Sequence, residues 1–263
     1  MNSADRNQGA LPPSRDAEMA ALASHQTATS PVRPRFFART ALVMLAWVIV
    51  SFPLTYFLPV ITGSQHFSVF VHIHGAAYFG WIFLYTWQTH LAAKNKIARH
   101  REFGLAGIAL SALLLPLGVI MAILAIQTRI AKGDEQPFFY TAFNIVDLAT
   151  FAALMIASIV AVTRHSDWHR RLTFGAALCL VGPAISRWFY AVPAFPPFTD
   201  FGPNILADLF LIALVIHDRR TLGHVHPASW LVIALLVPLH FFTPFLGASE
   251  AWRSVAPLLL QLT

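Results

Sequence analysis

The sequence is poor in charge and has almost no cysteine. Only 11% of its 263 residues are charged, whereas a soluble domain usually carries about 25%. Cys179 is the only cysteine, so an internal disulfide and a cysteine-based metal cluster are excluded. Because so few groups are available to interact with water, most of the surface must face a different environment.

Several signatures of standard enzymes are also missing. The chain has no serine nucleophile elbow, no phosphate-binding loop and no zinc-protease motif, which argues against a standard hydrolase or a nucleotide-driven pump. A seven-helix retinal protein needs a Schiff-base lysine in its last span, and residues 229–247 contain none. The sequence leaves open whether the protein is an enzyme.

Long apolar segments dominate what is present. Hydrophobic residues make up 57% of the chain, and about 20 consecutive apolar residues suffice to cross a bilayer. The apolar segments are 41–61, 67–91, 104–127, 138–163, 172–192, 203–217 and 229–247. They predict an all-α integral membrane bundle of seven transmembrane helices, with the lipid bilayer as its main partner.

Two features qualify individual segments. The sixth is short and contains Asp208, so it must be shielded by its neighbours or be re-entrant. Proline inside a helix removes a hydrogen bond and bends the chain. We therefore expect kinks at Pro53, Pro59, Pro116 and Pro183.

The positions of the basic residues predict the orientation. With the N-terminus inside and seven spans, 14 of the 18 Lys and Arg residues fall in inside regions, as the positive-inside rule requires. Omitting the sixth span would put Arg219 and Arg220 on the wrong side, so we predict an outside C-terminus. The basic residues lie between apolar runs rather than on one face, which argues against nucleic-acid binding.

The first 38 residues differ from the rest. They are polar and contain no long apolar block, unlike a secretory signal. Asp5, Asp16 and Glu18 disfavour a transit peptide. We expect a disordered tail over residues 1–38 and a single seven-helix transmembrane domain over residues 39–263.

Ionisable and amide side chains recur at one depth in five predicted spans. In the predicted orientation this depth is the outer half of the bilayer, where such groups should face the bundle interior and pair with one another. The predicted outer-half site consists of His72, His74, Asn144, Asp147, Arg187, Tyr190, Asn204, Asp208 and His240. The convergence favours a functional site; the structural alternative is polar contacts that hold helices together.

Helical geometry separates the first two of these residues. His72 and His74 are two residues apart, about 200° around a helix, so both cannot face one ligand unless the helix unwinds. His74 shares its face with Tyr78, Trp81 and Tyr85. Similar spacing places Asn204 with Asp208, and Asn144 with Asp147, on shared faces. We expect Arg187 to pair with one of the two aspartates.

Histidines also raise the question of a cofactor, because two imidazoles from different helices can ligate heme iron. Candidate ligands of heme b or a divalent metal are His72, His74, His240, His90 and His217. Weaker candidates lie on the inner face, where neighbouring cations disfavour a bound metal. They are His100, His165, His169, His224 and His226.

Two similar motifs open predicted spans: His100-Arg101 precedes the third and His169-Arg170 the fifth. They indicate either an internal duplication or two interfacial anchors.

With these motifs, the chain resembles a family of bacterial multi-pass membrane proteins with HxHG and HR-type loop motifs. The residues that carry the resemblance are His72-Ile73-His74-Gly75, Trp81, Gln88, His100-Arg101, Gly104, His169-Arg170-Arg171-Leu172, Pro183, Arg187, Asp218, Arg220 and His226-Pro227. The resemblance implies a multi-pass protein of the cell membrane, in the bacterial inner membrane, and carries no particular activity.

Three functions fit the sequence. The first is a redox or metal-dependent membrane protein, in which imidazoles ligate a heme or metal and Arg187 holds an anionic group. The second is a proton-coupled small-solute transporter, in which Asp147, Asp208 and histidines relay the proton. The third is a non-catalytic membrane scaffold or assembly factor. The small-molecule ligand or redox partner and the oligomeric state are not specified by the residues.

Overall fold

The computed structural model describes residues 35–191 and 200–262, apart from the side chains of Tyr190 and Ala191. Its helices are α1 (Arg35–Ser51), α2 (Leu58–Thr62), α3 (Val69–Ala93), α4 (Ile97–Ala131), α5 (Phe139–Ala161), α6 (Ser166–Ala191), α7 (Gly202–Leu222), α8 (Pro227–Ala248) and α9 (Glu250–Val255). A π-helical turn, Pro53–Phe57, joins α1 to α2, and a 3-10 helix, Ala256–Leu262, follows α9. No strand occurs in the described part of the chain, so the predicted all-α class is confirmed there.

Six helical stretches are long and apolar enough to cross a membrane. They are Arg35–Thr62, α3, α4, α5, Ser166–Phe189 of α6, and α8. The shortest has 22 residues, and a rise of 1.5 Å per residue lets it cover a hydrocarbon core of about 30 Å. Large apolar side chains cover the outside of the bundle, including Ile61 at 80% exposure and Val160 at 74%. The chain is therefore built as an α-helical membrane bundle.

The segment predicted as the sixth span forms α7. With 21 residues it is long enough to cross a bilayer, but it is more polar than the six stretches above and is not among them. Seven spans with an inside N-terminus and an outside C-terminus remain a prediction.

Helix bounds extend beyond the apolar segments that predict them. Helix α4 begins at Ile97 rather than residue 104, because a helix continues through the polar interface that a hydropathy pattern leaves out. Likewise, α1 begins at Arg35, inside the tail predicted over residues 1–38. Residues 1–34 lie outside the described part.

Helix α6 is the centre of the bundle. It packs against α1, α5, α7 and α8, and 67% of its most apolar stretch is buried, against 22–33% for the other five spans. Gly175 allows this close approach: a Cβ atom there would lie 2.7 Å from Val232 Cγ1 and 3.2 Å from Leu154 Cδ1. Small residues at such contacts let helix backbones come together in a membrane.

The first span is interrupted where the sequence predicts a kink. Pro53 lacks the N–H that a regular helix needs, and the π-helical turn begins at this residue. Such turns are frequent at functional sites. The turn carries Thr55 and follows Phe52, and both side chains contact α6.

Candidate functional site

Asp208 and His240 form a direct contact between α7 and α8. His240 Nδ1 lies 2.7 Å from Asp208 Oδ1. The His240 side chain is 7% exposed and the Asp208 side chain 24%. Both residues belong to the outer-half set predicted from the sequence. A carboxylate hydrogen-bonded to an imidazole is a pair that can bind and release a proton.

Asn204 supports the backbone at His240. Residue 244 is a proline, so the His240 carbonyl has no helical N–H donor four residues later. Asn204 Nδ2 donates to that carbonyl at 3.2 Å. Asn204 and Asp208 share a face of α7. Within one turn of this helix, Asn204 therefore binds the backbone of His240 and Asp208 binds its ring.

Asp147 reaches the same region from α5. Its Oδ2 atom and Asn204 Oδ1 each lie 3.9 Å from the position that a Cβ atom would take at Gly182. Asp147 also interacts electrostatically with His240. Three helices thus bring three titratable side chains, Asp147, Asp208 and His240, to one site.

Arg187 makes contacts other than the aspartate pair expected from the sequence. Its Nη1 donates to Thr55 Oγ1 at 2.9 Å, and its Cζ lies 4.0 Å from the centre of the Phe52 ring, a cation–π geometry. Arg187 Nε is buried without a hydrogen-bond partner. Among the described residues, Arg187 forms no ion pair, since Asp208 is bound to His240.

The two histidines of α3 point in different directions, as their spacing predicts. His72 is exposed, and its Nδ1 lies 2.5 Å from the Tyr56 hydroxyl oxygen. His74 is half-buried, its ring stacks near that of Tyr78, and its Nδ1 is buried without a partner. His74 and Arg187 also interact electrostatically. Only His74 of the two therefore lies at the interior site.

Two other predicted members do not contribute described contacts to the site. Asn144 is exposed, so the shared face predicted for Asn144 and Asp147 was wrong: the separation of about 60° around α5 turns Asn144 outward while Asp147 points inward. The side chain of Tyr190 lies outside the described residues.

The predicted cofactor ligands are spread over the bundle. His90, His165 and His224 are exposed, and the His217 ring stacks on Phe36 with 4.2 Å between ring centres. In the described part of the chain, no three His, Cys, Asp or Glu side chains are arranged to hold a metal ion. Binding of heme b or a divalent metal stays a prediction.

A row of polar and aromatic side chains, which we call the α3 stripe, runs along one face of α3. It consists of His74, Tyr78, Trp81, Tyr85 and Gln88. Tyr78 donates its hydroxyl to the carbonyl of Leu180, and Trp81 Nε1 donates to Ser111 Oγ at 2.7 Å. The other three members each carry a buried polar atom without a partner: His74 Nδ1, Tyr85 Oη and Gln88 Oε1. Buried polar groups of this kind usually bind water or a ligand.

The α3 stripe ends next to the two HR motifs. The rings of His100 and His169 lie 6.3 Å apart. His100 Nδ1 lies 3.3 Å from the Gln88 carbonyl oxygen, and Gln88 Nε2 donates to the His100 carbonyl at 3.0 Å. His169 and Ser158 repeat this exchange, with 3.2 Å for each of the two corresponding contacts.

The bounds of the helices agree with this repetition. Helix α5 begins at Phe139, 70 residues after the start of α3 at Val69, and α6 begins at Ser166, 69 residues after the start of α4 at Ile97. These nearly equal intervals and the matching histidine contacts favour the internal duplication over the alternative of two interfacial anchors.

A second buried cluster, the Arg171–Asp218–Ser229 cluster, was missed by the sequence interpretation. Arg171 Nη2 and Nε lie 2.5 and 3.2 Å from the two carboxylate oxygens of Asp218. Ser229 Oγ and the backbone N–H of His226 both donate to Asp218 Oδ2. Arg171 is 3% and Asp218 0% exposed. The cluster ties α6, α7 and α8 together, and its full hydrogen bonding indicates a structural role.

Comparison of the chain with known protein families, curated proteins and solved structures found no match. The function is therefore inferred from the geometry of the site.

Proposed function

We propose that the protein is a proton-coupled transporter of a small solute, in which Asp208 and His240 carry the proton. The contact of 2.7 Å between His240 Nδ1 and Asp208 Oδ1 is the observation that carries this proposal. Ionisable groups inside membrane proteins are costly and commonly form proton relays. Histidine is suited to this role because its ordinary pKa lies near neutrality.

Asp147 gives the proton a second acceptor from another helix. Its Oδ2 atom and Asn204 Oδ1 both lie beside Gly182, and Asp147 interacts electrostatically with His240. A proton that moves between His240 and Asp147 would change the charge at the contact between α8 and α5, which pack against each other and against α6. Such a change is the kind of local event that can bias a packed bundle between two arrangements.

The α3 stripe supports a route for the proton from the outer half of the bundle to its inner end. His74 and Gln88 are 14 residues apart, which corresponds to about 21 Å along a helix. Unpartnered polar atoms at His74, Tyr85 and Gln88 are suitable sites for ordered water. The stripe ends at the His100–His169 pair, which lies on the inner side in the predicted orientation.

The proposed setting is the inner membrane of a bacterium, with seven spans, the N-terminus inside and α7 as the sixth span. The resemblance to the bacterial multi-pass family and the distribution of basic residues support this setting.

Proton movement in proteoliposomes tests the proposal. Vesicles with a trapped pH-sensitive dye would receive a dicarboxylate, an amino acid or a sugar outside, and the internal acidification beyond that of protein-free vesicles is measured for each solute. We expect acidification with at least one class, and its loss in Asp208→Asn and His240→Gln. His90→Gln is the matched control, because His90 is exposed on α3. No acidification with any class, or full activity in both site variants, would contradict the proposal.

A further inference from the structure

We infer that Arg187 and His74 form a binding site for the carboxylate of a small organic acid. Arg187 is a half-buried cation within a membrane-spanning stretch, where charged groups normally pair. The described residues place no carboxylate within ion-pair distance of it. A ligand would supply the missing negative charge.

Arg171, on the same helix, is a buried arginine whose charge is paired. Arg171 binds both oxygens of Asp218 and also lies 3.1 Å from Ser229 Oγ. Arg187, four to five helical turns further along α6, has only the Thr55 hydroxyl and the Phe52 ring. The difference lies in the counter-ion, because both guanidinium groups are at least partly withdrawn from solvent.

The free edge of Arg187 fits a two-oxygen anion. Nη1 is used by Thr55, whereas Nε is buried without a partner. No described residue accepts a hydrogen bond from Nη2 either. Nε and Nη2 form the side of a guanidinium that binds a carboxylate with two parallel hydrogen bonds.

The guanidinium is held in place before any ligand binds. The Phe52 ring covers one face at 4.0 Å from Cζ, and Thr55 fixes one nitrogen at 2.9 Å. The neighbouring residue Trp188 donates its Nε1 to Ser51 Oγ at 2.9 Å. Because the end of α1 and the π-helical turn thus fix two successive side chains of α6, binding would require little further ordering.

His74, on α3, offers a further donor to the same ligand. Its Nδ1 is buried without a partner, and its interaction with Arg187 places the two groups in one electrostatic environment. The neighbouring Tyr78 hydroxyl is already committed to the Leu180 carbonyl. In the tautomer protonated at Nδ1, His74 would donate to the bound carboxylate.

This inference deepens the proposed function, and it rests on that function for its physiological meaning. An organic anion bound by Arg187, together with a proton on Asp208 or His240, would cross the membrane as a pair without net charge. Carboxylate binding itself can be measured on the full-length protein in detergent, without transport.

Equilibrium binding of radiolabelled acetate and benzoate is the direct test. We expect Arg187→Gln to weaken binding about tenfold or more, since charge-assisted hydrogen bonds contribute about 1.5–3 kcal/mol and 1.4 kcal/mol equals tenfold. Arg187→Lys keeps the charge without the two-donor edge, so it should bind more weakly than wild type. Arg129→Gln is the matched control, because among the described residues Arg129 contacts the Pro137 carbonyl and the Tyr140 ring, where α4 connects to α5.

The outcomes separate the two proposals. Carboxylate binding that survives in Asp208→Asn while proton movement is lost supports both. Carboxylate binding without any proton movement supports the anion site and overturns the transporter. Binding of sulfate but not of either carboxylate, or equal carboxylate binding in wild type and Arg187→Gln, overturns the inferred carboxylate site. If Arg187→Gln elutes as aggregate, Thr55→Val, which removes only the hydroxyl contact, replaces it and should also weaken binding.

Discussion

The guanidinium of Arg171 and the carboxylate of Asp218 form a bidentate ion pair in which both side chains are buried. The two residues are 47 positions apart in the chain and join α6 to α7. Removing one partner of such a pair leaves an uncompensated buried charge, which typically costs about 3–5 kcal/mol.

We therefore expect Asp218→Asn to lower the thermal unfolding midpoint strongly. Stability is measured by heating the detergent-solubilised protein and following the monodisperse fraction by size-exclusion chromatography. Arg219→Gln serves as control, because Arg219 is the exposed neighbour of Asp218. Equal midpoints for Asp218→Asn and Arg219→Gln would show that the ion pair does not stabilise the bundle.

Asn204→Leu is expected to destabilise the protein by about 1–3 kcal/mol, the usual cost of leaving a buried polar group unsatisfied. The reason is that Pro244 leaves the His240 carbonyl without a helical donor, and Asn204 supplies one. Asn144→Leu makes the same chemical change at an exposed position of α5 and should have little effect. A larger loss in Asn144→Leu than in Asn204→Leu would contradict this assignment.

Local geometry within one helix was predictable from the sequence. The angle between His72 and His74 follows from 100° per residue, and the structure places them on different sides of α3. The break at Pro53 follows from the missing N–H of proline. The shared face of Asn204 and Asp208 follows from their spacing of four.

Contacts between helices were not predictable in the same way. Arg171 looked like one more basic residue of an inner loop, because nothing in the local sequence identifies Asp218, 47 residues later, as its partner. Arg187 was expected to pair with an aspartate, yet it contacts Thr55 of the π-helical turn and the Phe52 ring instead. Arg171 and Asp218 both belong to the motifs of the resemblance expected from the sequence, but those motifs do not indicate that the two residues pair.

Gly175→Ala is expected to destabilise the bundle by about 1–3 kcal/mol, the usual cost of overpacking. The added methyl group would lie 2.7 Å from Val232 Cγ1, so α6 and α8 would have to separate. Gly104→Ala is the matched control, because nothing lies within 4 Å of the added atom and alanine favours a helix by about 1 kcal/mol. Unfolding midpoints of the two variants should move in opposite directions; a shift of both in the same direction would rule out the steric explanation.

His226 sits in the loop between α7 and α8 and caps the second of these helices. Its Nδ1 accepts a hydrogen bond from the backbone N–H of Ala228 at 3.1 Å, which requires that this nitrogen carry no proton. Burial lowers the pKa of His226 below its ordinary value, and the positive charge of Arg171 adds to this effect. Asp167 and Asp218 act in the opposite direction, and His224 reinforces the lowering.

A lowered pKa in the folded state means that the unfolded chain binds this proton first as the pH falls. The contribution of His226 to stability should therefore be present above about pH 6.5, the ordinary histidine pKa, and be lost as the pH falls from there through the folded-state pKa. His226→Asn keeps a capping side chain that cannot be protonated, so its unfolding midpoint should fall less than that of wild type between pH 7 and pH 5. His224→Asn, at the exposed position two residues earlier, controls for general histidine effects. A pH dependence in His226→Asn equal to that of wild type would mean that protonation of the cap does not contribute.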